Sequence, residues 1–124
     1  MFETKDRNFL ERAILVGFHD LTVSPAEASE HLSELQELMR TLGIPVIKEI
    51  TVSLRNPSPH FLMGSGKAEE IANIAKELKA DSIVFDHDLS PSQQRNWEKF
   101  TKLCVIDRQE VILEIFAGRA STRE

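Results

Sequence analysis

The chain has 124 residues and a formal net charge of −5, enough for one compact domain with a hydrophobic core. This acidic balance excludes a general basic surface for gripping nucleic acid, so any RNA contact must be local. No run approaches the roughly 20 apolar residues needed to span a bilayer, and the single cysteine excludes an internal disulfide. We therefore expect one soluble, cytoplasmic α/β domain over residues 1–124, with residues 1–10 flexible.

The first predicted elements are a strand, a helix and a second strand. Residues 13–18 are continuously apolar, which is typical of an interior strand of a parallel sheet, covered on both faces. The helix that follows has Ser24 as its N-cap, Glu27 three residues later and Gly43 as its stop. Residues 46–54 alternate apolar and polar side chains, which predicts an edge strand with one wetter face.

An irregular stretch, 55–66, separates these elements from the rest of the chain. Its prolines cannot continue a strand, although residues 61–63 are a candidate for a short further one. A helix is predicted over 67–79, with Glu69 and Glu70 in a first turn where negative charge favours the helix dipole.

Two further strand–helix pairs complete the chain. Residues 83–85 and 104–106 are short apolar runs that predict interior strands, and Ser90 and Asp107 open helices by capping. The predicted apolar faces of these two helices consist of Trp97, Phe100, Val111, Ile112, Ile115 and Phe116. Right-handed crossovers then predict an α/β fold: a small open, mainly parallel four-stranded sheet with helices on both faces, built from repeated βα units.

Four residues at the entry to the second helix are candidates for holding a phosphate or nucleotide: Gly64, Ser65, Gly66 and Lys67. Exposed amides at a helix N-terminus, with a lysine nearby, favour anion binding. The segment is not a Walker loop, because Phe61 and Ala68 stand where that loop needs glycine and a hydroxyl residue. The alternative is a tight turn in which glycine supplies a positive φ before the helix cap.

A second candidate site lies where two predicted strands end. Open parallel sheets bind ligands beyond the carboxyl ends of their strands. Five residues follow such ends: His19, Asp20, Asp86, His87 and Asp88. The group suits acid–base, metal or nucleotide binding, whereas ordinary roles as turn carboxylates and surface histidines explain the same residues.

The C-terminal third is the basic part of an acidic chain and the predicted partner face. Four residues there are candidates for partner binding: Gln94, Arg95, Arg119 and Arg123. Arginines that extend past the last apolar helix face suit RNA phosphates or acids on a neighbouring element, and solvated helix surface is the alternative.

The stretches 64–71, 84–96, 105–108 and 115–124 occur in an order that resembles the N-terminal domain of the HflX-type ribosome-associated GTPases. The resemblance runs from about Arg12 to Glu124. It implies a regulatory and ribosome-interaction domain that contacts the large subunit and its RNA. Members of that family continue into a long helical hairpin and a GTP-binding domain, and neither is found within these 124 residues.

Several expectations follow from that resemblance. GTP and magnesium are expected only in the GTP-binding domain, so we predict no cofactor, metal site or catalytic residue in this chain. The hairpin and the GTP-binding domain would be intramolecular partners, and without them the domain could self-associate through an uncovered apolar face. The alternative function is a self-sufficient nucleotide- or phosphate-binding α/β module.

Overall fold

The computed structural model describes residues 10–117, in which strands and helices alternate throughout. The strands are β1 (Ala13–His19), β2 (Val46–Ser53), β3 (Ser82–Phe85) and β4 (Cys104–Asp107). The helices are α1 (Pro25–Leu42), α2 (Ser65–Glu77), α3 (Pro91–Thr101) and α4 (Arg108–Phe116). Of the segment expected to be flexible, residues 1–9 lie outside the described part, and Leu10 is buried in the core.

All strand pairs of the sheet are parallel, in the order β2-β1-β3-β4. The predicted α/β fold class is confirmed, and so is the edge position of β2. The prediction that the run 104–106 is an interior strand is wrong, because β4 forms the opposite edge. Its continuous burial comes from helices on both faces: Val105 joins one core cluster, whereas Cys104 and Ile106 join the other.

The two faces of the sheet carry different helix pairs. The core cluster beneath α1 and α4 includes Leu35, Met39 and Val111, and the cluster beneath α2 and α3 includes Ile71 and Trp97. This division follows from right-handed crossovers, because the chain moves from β1 to one side and then returns past β1 to β3 and β4. Trp97 is completely buried.

The predicted helix ends are largely confirmed. Ser24 and Glu27 form a reciprocal capping box at α1, and Gly43 ends that helix with a φ of 82°. Ser90 forms the same box with Gln93 at α3. At α4 the Asp107 carboxylate accepts a hydrogen bond from the backbone N–H of the third helical residue.

Other local predictions are corrected. Helix α2 begins at Ser65, two residues earlier than predicted, so Glu69 and Glu70 lie beyond its first turn. Residues 61–63 form no strand: Ser58 and Leu62 make an isolated antiparallel bridge, which closes a turn within the irregular stretch.

The apolar faces of the last two helices are less covered than predicted. Phe100 is 41% exposed and Phe116 is 81% exposed, while Ile112 and Ile115 are only partly buried. In α4 only Val111 is fully buried, and the helix packs against α1 and β4. None of the described helices is both long enough and apolar enough to cross a membrane.

Candidate functional site

A groove opens at the carboxyl end of the sheet, between the loops that follow β1 and β2. Its volume is about 570 Å³. Five polar residues line it: Asp20, Thr22, Arg55, Asn56 and His87. The connection from β1 runs towards β2, and the connection from β2 returns past β1, so the groove lies near the switch point where open α/β sheets bind ligands.

The loop after β1 is organised by the carboxylate of Asp20. Its Oδ1 accepts hydrogen bonds from the backbone N–H of Thr22 (2.8 Å), the hydroxyl of Thr22 (2.9 Å) and the backbone N–H of Val23 (2.8 Å). These bonds, led by the one from the Thr22 hydroxyl, lower the pKa of Asp20 below its ordinary value. The turn leaves Leu21 99% exposed at its tip.

The two predicted histidines occupy different environments. His87 lines the groove, with its ring edge against Phe18 at a centroid distance of 5.6 Å and its Nδ1 3.0 Å from the carbonyl oxygen of Asp88. His19 is partly buried and, by strand alternation, points to the α1 face of the sheet, opposite to Phe18. The groove therefore combines Asp20 and His87 and does not include His19.

Asp86 forms an ion pair that the sequence analysis did not predict. Its Oδ1 accepts a hydrogen bond of 2.8 Å from the guanidinium of Arg108, which also lies 3.4 Å from Glu34 on α1. The bond to Asp86 raises the pKa of Arg108 above its ordinary value. The strand register of the folded chain accounts for this pair, because Phe85 pairs with Asp107 and the next residues are therefore neighbours.

The candidate residues do not converge on a metal-binding geometry. Within residues 10–117, no three histidine, cysteine, aspartate or glutamate side chains form a group that could hold a metal ion. Asp88 is exposed and adjoins the groove only through its backbone contact with His87.

The entry to α2 contradicts the tight-turn alternative, in which a glycine supplies a positive φ. Gly64 is the N-cap with a φ of −66°, and the positive φ of this region belongs to Leu62, at 75°. A Cβ on Gly64 or Gly66 would meet nothing within 4 Å. Lys67 lies in the first helical turn, where its Nζ forms an ion pair of 2.7 Å with Glu70. Gly64, Ser65 and Gly66 at the helix start are all exposed residues.

Three side chains of α3 fix the irregular stretch to the fold, which the sequence reading missed. Gln93 donates to the carbonyl oxygen of Ser58 at 2.8 Å, and Asn96 donates to that of His60 at 2.9 Å. The indole N–H of Trp97 donates to the next carbonyl oxygen, that of Phe61, at 2.9 Å. Positions 93, 96 and 97 share one face of α3. Their hydrogen bonds hold residues 58–61, which come shortly after the groove residues Arg55 and Asn56.

The predicted partner-binding residues in α3 divide into one internal and one exposed side chain. Gln94 donates to the carbonyl oxygen of Val105 at 2.6 Å and to Glu110 at 3.2 Å, so its amide is used within the domain. Arg95 is exposed. Arg119 and Arg123 lie outside the described residues.

Comparison with known proteins decides the family. The model of the GTP-binding GTPase N-terminal family matches residues 29–117. The chain belongs to this family. That match covers strands β2, β3 and β4, the irregular stretch that α3 anchors, and all of α4.

The relatives of this chain include GTPases that are much longer than it. It is 46% identical to GTPase HflX from Akkermansia muciniphila over the whole chain, which covers 29% of that protein. It is 40% identical to GTPase HflX from Escherichia coli, again over the whole chain and 28% of that protein. The chain thus spans less than a third of the length of these relatives.

Solved structures support the fold of this family member. A structure described as SsGBP in complex with GDP superposes with a TM-score of 0.62 at 22% identity, covering 92% of this chain and 31% of that one. A GTP-binding protein from Sulfolobus solfataricus, also in complex with GDP, superposes with a TM-score of 0.57 at 21% identity, over 87% and 30% of the two chains. At this level of identity the likeness shows the fold alone.

Proposed function

We propose that this chain is the N-terminal regulatory and ribosome-interaction domain of an HflX-type GTPase, and that it contributes to association with the large ribosomal subunit in the cytoplasm. The observation that carries the proposal is the 46% identity to an HflX GTPase along the whole chain. Identity at that level extends beyond the buried core of a shared fold to surface positions, where binding residues lie.

GTP hydrolysis, in this proposal, belongs to a separate GTP-binding domain of the longer protein. The entry to α2 offers amides to a phosphate, but Lys67 is paired with Glu70 at 2.7 Å. The buried Ala68 occupies the position at which a Walker loop supplies a magnesium-binding hydroxyl. In this proposal the chain has no catalytic role of its own, and GTP and magnesium bind in the GTP-binding domain.

The exposed side of α4 is the proposed contact with the helical hairpin and GTP-binding domain. Leu113 is 57% exposed and Phe116 is 81% exposed on a helix whose other side packs against α1. Large apolar side chains on a helix end favour a covered position in the complete protein. This arrangement leaves Arg95, on the other face of the sheet, accessible to a ribosomal partner.

The test is co-sedimentation of the isolated chain with purified large and small ribosomal subunits. We expect saturable pelleting with the large subunit, weakened by added salt as RNA phosphate contacts require. A small-subunit sample at equal concentration is the control. Equal pelleting with both subunits, or none with either, contradicts the proposal.

The carboxyl-end groove favours one second candidate, a self-sufficient module for nucleotide or phosphate binding. Arg55 and His87 are available there as donors, in the position where α/β folds bind ligands. Calorimetric titration with ATP and with GTP tests it. Binding that is lost in Arg55→Ala, and kept in the Arg95→Ala control, would support this candidate, whereas no heat with either nucleotide removes it.

A further inference from the structure

A second groove lies at the opposite end of the sheet, where the C-terminal ends of α2 and α3 meet. Its volume is about 620 Å³. Ala72 and Ala75 from α2 line it together with Leu103, which follows α3. Small side chains on α2 leave the space between the two helices open, and the described contacts show no close packing of α2 on α3. Ala75 and Ala80 in this lining are buried.

One wall of this groove is an aromatic ring held in place. Phe100 is 41% exposed. Its ring packs against Phe61 at a centroid distance of 5.1 Å and Trp97 at 6.2 Å. Trp97 is in turn fixed by its hydrogen bond to the Phe61 carbonyl oxygen. The ring therefore offers an exposed aromatic surface to the groove at little cost in side-chain freedom.

The rim of the groove is basic in a chain that is acidic as a whole. Lys76, Lys79 and Lys102 line it, against the single acid Glu69. Among the residues that the structure describes, neither Lys76 nor Lys79 forms an ion pair. Lys76 and Lys79 beside one anion give the groove a positive local potential despite the net charge of −5.

Two of these lysines occupy backbone positions that favour glycine. Lys79 has a φ of 57° and Lys102 a φ of 64°. Helices commonly end with glycine in this left-handed conformation, because other residues are strained there. Lys79 is not needed to place a positive charge at the C-terminal end of α2. The Arg12 guanidinium already donates there, to the carbonyl oxygens of Leu78 and Lys79, at 2.7 and 3.0 Å. Lysine therefore stands at both positions despite the backbone strain.

We propose that the groove between α2 and α3 binds single-stranded RNA, with Lys76 and Lys79 on the phosphates and a base stacked on Phe100. Stacking on an exposed aromatic ring beside a positively charged groove is how proteins hold single strands without reading their sequence. A helical peptide suits the groove less well, because its lining offers alanine methyls and few large apolar side chains. The inference deepens the ribosome proposal by assigning the surface for its RNA contact.

The experiment measures binding of a fluorescein-labelled 12-nucleotide oligouridylate to the chain by fluorescence anisotropy. We expect Lys76→Glu with Lys79→Glu to weaken binding roughly tenfold or more, and to reduce the slope of log affinity against log salt by about 1.4, about 0.7 for each lost phosphate contact. We expect Phe100→Leu to weaken binding roughly tenfold and Phe100→Tyr, which keeps the ring, to restore it.

The matched control is Arg40→Glu with Lys48→Glu, which makes the same change in net charge at exposed positions on α1 and β2. An equal loss of affinity in this control overturns the proposal, and so does the absence of binding by the unaltered chain. Displacement of the RNA by oligoglutamate at lower concentration would also overturn it, in favour of an acidic protein partner. Ribosome pelleting that persists without oligouridylate binding would refute this groove while leaving the proposed function intact.

Discussion

Gly17 shows how a single residue sets the distance between the sheet and α1. A Cβ at this position would lie 2.8 Å from Cγ of Leu32 and 2.9 Å from its Cδ1. Leu32 is itself buried, so it has little room to move away. Glycine is therefore required at this strand position because Leu32 of α1 approaches the backbone closely, and not because of the backbone conformation.

Gly17→Ala is expected to lower the free energy of unfolding by about 1–3 kcal/mol, because the added methyl overpacks the contact with Leu32. Gly66→Ala is the control, since its Cβ meets nothing within 4 Å in a helical position. We expect that change to stabilise the chain by up to about 1 kcal/mol. Urea denaturation measures both, and a shift of the same sign in the two variants would count against this account.

Glu110 is one residue through which stability should respond to pH. Burial raises the pKa of its carboxyl above the ordinary value of 4.5, although the hydrogen bond from Gln94 opposes the shift. The folded form then holds a proton at pH values where the unfolded chain has lost it. The contribution of Glu110 to stability is complete below the unfolded pKa and is lost as the pH rises through the raised folded pKa.

Glu110→Gln keeps an acceptor for Gln94 without the charge. We expect the variant to gain stability relative to the unaltered chain as the pH rises from below 4.5 through the folded pKa of Glu110, and the difference to level off above it. Urea denaturation across that pH range measures the difference. A constant difference between the two proteins at every pH would show that burial does not shift this carboxyl.

The elements themselves could largely be read from the sequence, and their mutual contacts could not. Capping residues such as Ser24 and Ser90 fix helix ends by local hydrogen bonds, so local sequence reveals them. The edge position of β4 depends on the strand order. The hydrogen bonds from α3 to residues 58–61 depend on the distance in space between that helix and the loop. The ion pair of Asp86 with Arg108 is also non-local, and only the assembled register brings it together.

At the element scale, α3 is expected to hold the irregular stretch through Gln93. Gln93→Ala removes both the bond to the Ser58 carbonyl and half of the capping box, so we expect a loss of about 1–3 kcal/mol. The neighbouring exposed Arg95→Ala should change stability by less than about 0.5 kcal/mol. Hydrogen exchange at the Leu62 amide should accelerate in the first variant alone. Unchanged exchange there would mean that the loop is held by other contacts.

At the scale of the whole molecule, exposed apolar side chains on α4 should make the isolated chain self-associate. Leu113 and Phe116 are the main exposed apolar residues of that helix. Replacing both with serine should abolish any rise of the sedimentation coefficient with protein concentration. The control is Leu21→Ser, which changes a 99% exposed residue in the loop after β1. It should leave the rise in sedimentation coefficient intact. A concentration-independent monomer before any substitution would contradict this prediction.

For the candidate sites, the sequence indicated where some side chains would lie but not which contacts they would make. Strand ends placed Asp20 and His87 at one edge of the sheet, and both do line the groove there. The sequence did not indicate that Asp86 would be neutralised by Arg108, nor that lysines would gather between α2 and α3. Which of the two grooves binds a ligand stays a prediction for the RNA and nucleotide titrations.

The most direct test of the central claim is a chimera in which this chain replaces the corresponding N-terminal region of the Escherichia coli HflX GTPase, to which it is 40% identical. Affinity for the large ribosomal subunit is measured beside the same GTPase with that region deleted, both bound to a non-hydrolysable GTP analogue. The account predicts that the deletion weakens binding and that the chimera restores it, with nucleotide affinity equal in the two proteins. A chimera that binds the large subunit no better than the deletion would contradict the account.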